Sequence, residues 1–184
     1  MKSMKDTPSE SEMLNRMAAY CASAERCPSD VERKLLAANL PAAAIRRILS
    51  QLTEQQYLDE ARYAHSFAND KLRFNSWGRI KIAHELYQKR ISSENISNAI
   101  AAISDECYQN ILTELLHSKL KTMHGDKKRE KRLKLLRFAS GRGFEYDRIN
   151  QCLAQLLKNE KDYYDDSDRD SDKDSDDDYY DDQD

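Results

Sequence analysis

The chain has 184 residues, 39% of them hydrophobic and 34% charged, with only four glycines and three prolines; this composition is lean for a thick core and poor in the turn residues that sheets need. No apolar run approaches the roughly 18 residues of a membrane span and the N-terminus is polar, so we expect a cytoplasmic protein without a signal peptide or membrane anchor. Residues 158–184 carry 14 acidic and four basic side chains although the whole chain has a net charge of −3, so residues 1–157 are basic and suit a polyanion or an acidic protein surface.

The first third of the chain predicts three helices, at about residues 12–25, 30–39 and 41–52. Residues 1–10 have no such pattern and are expected to be a disordered lead-in. Ser29, with Glu32 three residues later, has the spacing of a capping box at the start of the second helix. Asn39 suits the left-handed conformation that ends a helix, and Pro41 suits the first turn of the next helix, where its missing N–H costs nothing.

Six further helices follow the same plan. Five are expected at about residues 58–74, 80–86, 92–103, 106–123 and 145–157. The other lies between the last two of these and ends near residue 136. Ser92 or Ser93 caps the third of these, a basic turn lies around 124–129, and Gly141–Gly143 is a helix stop. Residues 158–184 are nearly all Asp, Ser, Tyr and Lys without apolar periodicity, which predicts a disordered acidic tail.

Five apolar positions recur three times in one register, at offsets of 0, 5, 8, 9 and 12 residues. The last four follow the i, i+3, i+4, i+7 spacing of an amphipathic helix, and successive sets are 51 and 53 residues apart. An ordinary helical domain with two helices alike by chance is the alternative. The sets are Leu40, Ile45, Ile48, Leu49 and Leu52; Ile91, Ile96, Ala99, Ile100 and Ile103; and Phe144, Ile149, Cys152, Leu153 and Leu156.

The middle helices keep this register, which supports a true repeat. Nine residues before the first position of each set lie Val31, Ile82 and Leu135, and five before it lie Leu35, Leu86 and Ala139. The sequence therefore predicts an all-α fold of three tandem three-helix repeats in an elongated, curved array, in which each unit contacts only its neighbours. The expected domains are a lead-in over 1–10, repeats over 11–54, 55–104 and 105–157, and the acidic tail over 158–184.

Residues that carry chemistry form no catalytic or ligand-binding pattern. Four glycines are too few for the nucleotide-binding loops, the histidines are scattered, and Cys21 and Cys27 have the wrong spacing for a zinc pair. We expect no enzyme activity, no cofactor and no metal site. The four cysteines are expected to be free thiols.

Clusters of basic residues are the remaining signal. Each alone is typical of a solvated helix face, but their spread over all three units predicts a strip that binds phosphates without reading sequence. The aromatic residues Tyr57, Tyr63, Phe67, Phe74 and Trp77 are expected to fill contacts between units. The candidate contact residues are Arg46, Arg47, Arg62, Arg79, Lys81, Lys89, Arg90, Lys127, Lys128, Arg129, Lys131 and Arg132.

The acidic tail allows three interpretations. It could simply keep the chain soluble. Its alternating aspartates from Asp166 to Asp176 could hold a cation loosely, although the glycine and the final glutamate of an EF-hand loop are missing. It could also imitate a phosphate backbone and compete for the basic part of the chain.

Three motifs in the second unit resemble the central repeat of the RecX family: YLDEARYA at 57–64, WGRI at 77–80 and HELYQKRI at 84–91. The family pattern has LDDxRFA, GxxRI and LxxKGI at these places. Glu60 replaces the second Asp, and Arg90 stands in a left-handed position that usually holds Gly. Parts of the first and third units look like the flanking repeats, so the resemblance covers about residues 14–157, whereas the acidic tail is not an expected family feature.

This resemblance implies a regulator, mainly an inhibitor, of the RecA recombinase. Such proteins lie in the helical groove of the RecA–DNA filament, bridge neighbouring protomers, and suppress ATP hydrolysis, strand exchange and coprotease activity. The expected partners are therefore RecA and its filament on single-stranded DNA, with DNA itself as a further partner and the chain acting as a monomer. A sequence-independent DNA-binding module and a helical adaptor for another protein are the alternatives.

Overall fold

The computed structural model describes residues 8–124 and 127–158, and every regular element in these ranges is an α-helix. The prediction of an all-α fold is confirmed. The predicted disorder of the lead-in up to residue 7, and of the acidic tail from residue 159 onward, concerns residues outside the described ranges. The helices are α1 (Glu10–Ser23), α2 (Pro28–Ala37), α3 (Ala42–Glu54), α4 (Glu60–Asn75), α5 (Arg79–Gln88), α6 (Ser93–Ala101), α7 (Asp105–Leu120), α8 (Lys128–Ser140) and α9 (Tyr146–Leu156).

These helices pack in chain order as three groups of three. The helix α3 packs on α1 and α2, α6 packs on α4 and α5, and α9 packs on α7 and α8, so the last helix closes each group. We call the groups unit 1 (α1–α3), unit 2 (α4–α6) and unit 3 (α7–α9). Units 2 and 3 also meet directly, where α4 packs on α7.

Burial follows the register of the repeat. None of the fifteen apolar positions in the three sets is exposed. The six corresponding positions of the middle helices, such as Val31, Ile82 and Leu135, are completely buried, with 0% exposure. Equivalent side chains thus fill equivalent places in each unit, and the interpretation of the sequence as a threefold repeat is confirmed.

The same left-handed turn joins the second and third helices of every unit. One residue in each turn has a positive φ: Asn39 at 60°, Arg90 at 61° and Gly143 at 84°. The N–H of the following residue then donates to the carbonyl five positions back, which is the long bond of a Schellman motif. These bonds join Leu40 to Leu35 at 3.4 Å, Ile91 to Leu86 at 3.2 Å and Phe144 to Ala139 at 3.2 Å.

The prediction for the start of α2 is wrong by two residues. The helix begins at Pro28 with Cys27 as its N-cap, and the cap makes no side-chain hydrogen bond. Proline fixes a helical φ at the first position and so draws the boundary forward of Ser29. Glu32, expected in a capping box with Ser29, forms an ion pair with Arg90 instead.

The prediction that aromatic side chains fill the contacts between units is wrong for two of the five residues. Tyr63 is buried in the core that units 2 and 3 share, and Phe67 and Trp77 are partly buried against it, with ring centroids 5.8 and 6.5 Å apart along this series. Phe74 is 81% exposed and Tyr57 is 38% exposed. Phe74 lies two residues after the last buried position of α4, about 200° around the helix, and therefore faces away from the core.

Two separate apolar cores hold the three units. Unit 1 has its own core, whereas units 2 and 3 share one continuous core. Two residues cross this division: Leu58, just before α4, packs in the core of unit 1, and Cys27 of unit 1 packs in the shared core. Unit 1 is therefore connected to the rest of the chain by a small apolar overlap.

The backbones of Gly78 and Gly143 touch where units 2 and 3 meet. A β-carbon on Gly78 would lie 2.1 Å from the carbonyl oxygen of Gly143, well inside contact distance. The Gly78 N–H donates to the Arg142 carbonyl at 2.8 Å, and the Ile80 N–H donates to the Gly143 carbonyl at 3.1 Å. Main-chain hydrogen bonds thus join these two units in addition to their shared core.

Replacing Arg90 by glycine is expected to raise the free energy of unfolding by about 0.5–1 kcal/mol, because glycine adopts a positive φ without steric cost. The ion pair that Arg90 would lose is mostly exposed and contributes little. Arg90→Ala is the matched control, since it loses the same ion pair but keeps the unfavourable φ. Urea denaturation that shows no gain for Arg90→Gly over Arg90→Ala would contradict the assignment.

Replacing Gly78 by alanine is expected to lower the free energy of unfolding by about 2 kcal/mol or more, because its β-carbon would collide with main-chain atoms that cannot move aside. Gly141→Ala is the control: its β-carbon would lie 3.3 Å from the Arg137 carbonyl oxygen, so a small shift is enough to relieve the contact. Equal destabilisation of the two variants in urea would mean that the contact between Gly78 and Gly143 is not the reason.

Candidate partner-binding surface

The twelve predicted contact residues lie in four places. One pair is on α3, one group lies where units 1 and 2 meet, one lies where units 2 and 3 meet, and the last is at the start of α8. Five of the twelve form an ion pair with a carboxylate in the described part of the chain. These five are Arg47, Arg62, Arg79, Lys89 and Arg90.

Three ion pairs connect unit 1 to unit 2. Lys89 Nζ lies 2.9 Å from Asp30 Oδ2, and Arg90 Nη1 lies 3.0 Å from Glu32 Oε2. Arg62 Nε lies 2.6 Å from Glu25 Oε1. In each pair the cation belongs to unit 2 and the carboxylate comes from α2 or from the segment before it. We call these three pairs the ionic junction.

Asp30 has the least exposed carboxylate of the ionic junction, with 16% of its side chain exposed. The thiol of the completely buried Cys27 donates to it at 3.0 Å. Burial acts to raise the pKa of Asp30, but hydrogen bonds from Cys27 and Lys89 outweigh it and hold this pKa below its usual value. Burial likewise acts to lower the pKa of Lys89, and the bond to Asp30 overcomes it, so the Lys89 pKa is raised. Both groups are therefore charged at neutral pH.

Arg79 has a structural position between units 2 and 3. Its guanidinium lies 2.7 Å from Asp105 Oδ1, donates to the Ile103 carbonyl at 3.2 Å, and stacks 4.3 Å from the Tyr108 ring centre. The Arg79 main-chain N–H donates to the Tyr108 hydroxyl at 3.1 Å, and that hydroxyl donates to Glu145. Burial, together with the bond to Glu145, raises the pKa of Tyr108. With 18% of its side chain exposed, Arg79 offers little of itself to a partner.

Lys81 lies close to Arg79 but contacts an aromatic ring. Its ammonium group is 4.4 Å from the Trp77 ring centre, and Lys71 approaches the same ring at 5.1 Å. A cation held against a ring in this way remains half-exposed and keeps its charge available at the surface.

The α3 pair is exposed and differs in its partners. Arg47 forms two hydrogen bonds with Glu10, at 2.8 and 2.6 Å, which tie α3 to the start of α1. Arg46, beside it, is exposed on the same helix. Arg46 is thus the better placed of the two for a contact with another molecule.

The start of α8 has the densest positive charge in the described part of the chain. From residue 128 to 140 the helix contains six basic residues and one acidic residue, Glu130. Lys127, Arg129 and Arg132 are exposed, and Arg132 donates to the side chain of Asn150 on α9 at 3.0 Å. Lys128 and Lys131 are half-buried. This surface can attract phosphates or carboxylates.

An exposed apolar stripe on α5 was not predicted. Ile80 is 59% exposed and Tyr87 is 67% exposed, seven residues apart on the helix face opposite the buried Ile82 and Leu86. Tyr87, together with Ile96 and Ile100 of α6, lines a groove of about 610 Å³. The i, i+7 spacing of Ile80 and Tyr87 was visible in the sequence, but the stronger core pattern on the same helix concealed it.

The carboxylate partners of the ionic junction were also missed. Asp30 and Lys89 are 59 residues apart, and no local spacing connects them. Net charge along the chain gave no signal either, since residues 24–37 contain three acidic and three basic side chains. The predicted role of the twelve basic residues in binding a partner stays a prediction.

The described ranges contain no group of three or more His, Cys, Asp and Glu side chains that could hold a metal ion. None of the helices in these ranges combines the length and apolar character needed to cross a bilayer. Cys21, Cys27, Cys107 and Cys152 are free thiols. What the arrangement offers a partner is charge and apolar surface.

Comparison with known families matches two segments of the chain. Residues 59–100 match the model described as "RecX, second three-helix domain", and residues 106–153 match "RecX, third three-helix domain". These segments correspond closely to units 2 and 3.

Several proteins called "Regulatory protein RecX" are similar to the chain. The one from Lacticaseibacillus paracasei is 32% identical over 84 residues, which cover 46% of this chain but only 35% of that protein. The one from Clostridium perfringens strain 13 is 31% identical over 63% of this chain and 55% of the relative. The one from Prosthecochloris aestuarii is 27% identical over 79% of this chain and 94% of the relative. The chain thus spans about a third of the first protein and nearly all of the last.

Two solved structures share the fold. The crystal structure of RecX from Lactobacillus salivarius superposes with a TM-score of 0.73 at 22% identity, over 80% of this chain and 96% of that one. A second crystal structure, of a regulatory protein RecX, gives a TM-score of 0.70 at 22% identity, over 82% of this chain and 72% of that one. At this identity the likeness establishes the arrangement of the helices.

Breaking the pair of Asp30 and Lys89 is expected to destabilise the chain more than breaking that of Glu32 and Arg90. The first pair is partly buried, so a double-mutant cycle with Asp30→Asn and Lys89→Met should give a coupling energy of about 1–2 kcal/mol. The second pair is 77% and 37% exposed, and Glu32→Gln with Arg90→Met should give less than about 0.5 kcal/mol. Urea denaturation measures both cycles, and equal coupling energies would contradict the assignment.

Proposed function

We propose that this chain, which belongs to the RecX family, is a non-catalytic regulator of the RecA recombinase that binds the RecA filament on DNA. The observation that carries the proposal is the match of units 2 and 3 to the second and third three-helix domains of that family. The similar proteins are named as regulatory proteins, which agrees with a role outside catalysis.

The proposed action is mainly inhibitory. The chain would lie in the filament groove, bridge neighbouring RecA protomers, and lower ATP hydrolysis, strand exchange and coprotease activity. Helical units packed in chain order support this proposal, because they give an extended surface that can follow a groove. We further propose that the chain acts as a monomer, with each unit contacting a different part of the filament.

The exposed basic residues are the proposed first contacts. Arg46, Lys127 and Arg129 lie at the surface and can meet a partner without breaking a described ion pair. The cations of the ionic junction and Arg79 would instead act by fixing how the units are placed, unless binding exchanges their carboxylate partners for those of RecA. The net effect of each cation on affinity therefore depends on whether it must break an ion pair within the chain to contact the partner.

Direct DNA binding is the second candidate function. The six basic residues on α8, against one acidic residue, favour it. A plain DNA binder would need no recombinase, and its affinity would fall steeply with salt concentration. A helical adaptor for an unrelated protein would show neither steep salt dependence on DNA nor an effect on RecA.

The full chain is expected to lower the ATPase activity of RecA on single-stranded DNA when added at less than one molecule per RecA. A double variant, Lys127→Gln with Arg129→Gln, should need a roughly threefold to tenfold higher concentration for half-inhibition, because two exposed charges at the contact are removed. Steady-state ATP hydrolysis across a titration of each protein provides the measurement.

The matched control is Arg16→Gln with Arg73→Gln, which removes the same charge from exposed positions on α1 and α4. It should inhibit like the unmodified chain. If an equimolar amount of the unmodified chain leaves RecA ATPase unchanged, the proposed function is wrong. If both double variants lose potency equally, net charge rather than the start of α8 is responsible.

A further inference from the structure

A groove between α8 and α9 combines a basic wall with an apolar floor. Arg129 and Arg132 of α8 form the wall, and Leu153 and Ala154 of α9 form part of the floor, around a volume of about 510 Å³. Lys158, at the C-terminal end of unit 3, lines the same groove. We call it the α8–α9 groove.

The groove suits a ligand that is both acidic and aromatic. Arg129, Arg132 and Lys158 are exposed, so their charges are available at its rim. The nearest acidic residue in the same turn of α8 is Glu130, and the first turn of α9 contains Asp147. A single small anion would leave the apolar floor uncovered, whereas a peptide with carboxylates and rings would cover both parts.

One segment with this chemistry begins where the groove ends. Residues 159–184 follow Lys158 directly and contain 14 acidic residues, three basic residues and four tyrosines. The tyrosines occur as two adjacent pairs, and the first pair, Tyr163 and Tyr164, is only five and six residues beyond Lys158. Five residues span at most about 18 Å, which reaches along a groove of this size.

The direct connection gives this segment an advantage over any free ligand. A ligand joined by a few residues has an effective concentration in the millimolar range, so even weak binding is populated. A separate acidic molecule would have to displace it. Charge complementarity and the short connection together favour this segment as the occupant.

We propose that residues 159–184 bind intramolecularly in the α8–α9 groove and compete there with the phosphate backbone of DNA. The basic surface on α8 is then masked until a stronger polyanion displaces the segment. The intramolecular contact is independent of the proposed function, and only its consequence for a RecA filament rests on that function.

The test compares the full chain with a full-length variant in which the 13 aspartates after residue 158 are changed to asparagine. Amide hydrogen exchange of α8 and α9 should be slower in the unmodified chain, and 0.5 M NaCl should remove the difference. This protection should not change when the protein is diluted fiftyfold. Loss of protection on dilution would assign the contact to a second copy and overturn the proposal, as would equal exchange in the two proteins at low salt.

A cycle of DNA-binding measurements distinguishes docking of residues 159–184 in the groove from general repulsion of DNA by their negative charge. The probe is a fluorescent oligothymidine strand at low salt, and the asparagine variant should bind it about tenfold more tightly than the unmodified chain. In an Arg129→Gln, Arg132→Gln background this gain should largely disappear, whereas it should persist in the control background Arg16→Gln, Arg73→Gln. An equal gain in both backgrounds would overturn the proposal. Neither readout contains RecA, so a failed ATPase titration and a failed docking test are distinguishable.

Discussion

A single left-handed residue between the second and third helices of each unit is the constraint on which the fold depends. Its positive φ lets the next N–H reach the carbonyl five residues back, and this bond places Leu40, Ile91 and Phe144 in the core. The third helix is then set at the angle that closes the unit. Three residue types fill the position, which indicates that the turn is dictated by the surrounding packing and tolerates an unfavourable residue such as Arg90.

Units 1 and 2 are joined by different interactions from those that join units 2 and 3. Units 2 and 3 share one apolar core, a contact between two glycine backbones and hydrogen bonds of the main chain. Unit 1 has a separate core and meets unit 2 through the ionic junction and the small overlap of Cys27 and Leu58. Apolar burial is not weakened by ionic screening, whereas exposed ion pairs are. The placement of unit 1 is therefore the part of the structure most open to ionic conditions and to a charged partner.

The helices and their register could be predicted because both follow from local rules. Apolar spacing fixes which face is buried, and Asn39, Gly141 and Gly143 mark helix ends within a few residues of where they fall. The partners of Lys89 and Arg79 could not be predicted, since pairing across 59 or 26 residues depends on how units are placed against each other. The N-cap of α2 was predicted wrongly because proline and serine compete for one helix boundary. The exposed stripe with Ile80 and Tyr87 was missed because a helix can have two apolar faces.

The contact between Gly78 and Gly143 also bears on how the chain can be recombined with its relatives. A segment transplanted between two proteins keeps its own surface residues. The chimera therefore folds only where the interface between the two segments tolerates mismatched residues. The loop before α4 offers such a place, because three adjustable charge pairs lie across it. A chimera divided between α6 and α7 would instead set foreign backbone against Gly78, where not even one methyl group fits. We therefore expect unit 1 to be exchangeable between relatives, and units 2 and 3 to be exchangeable only together.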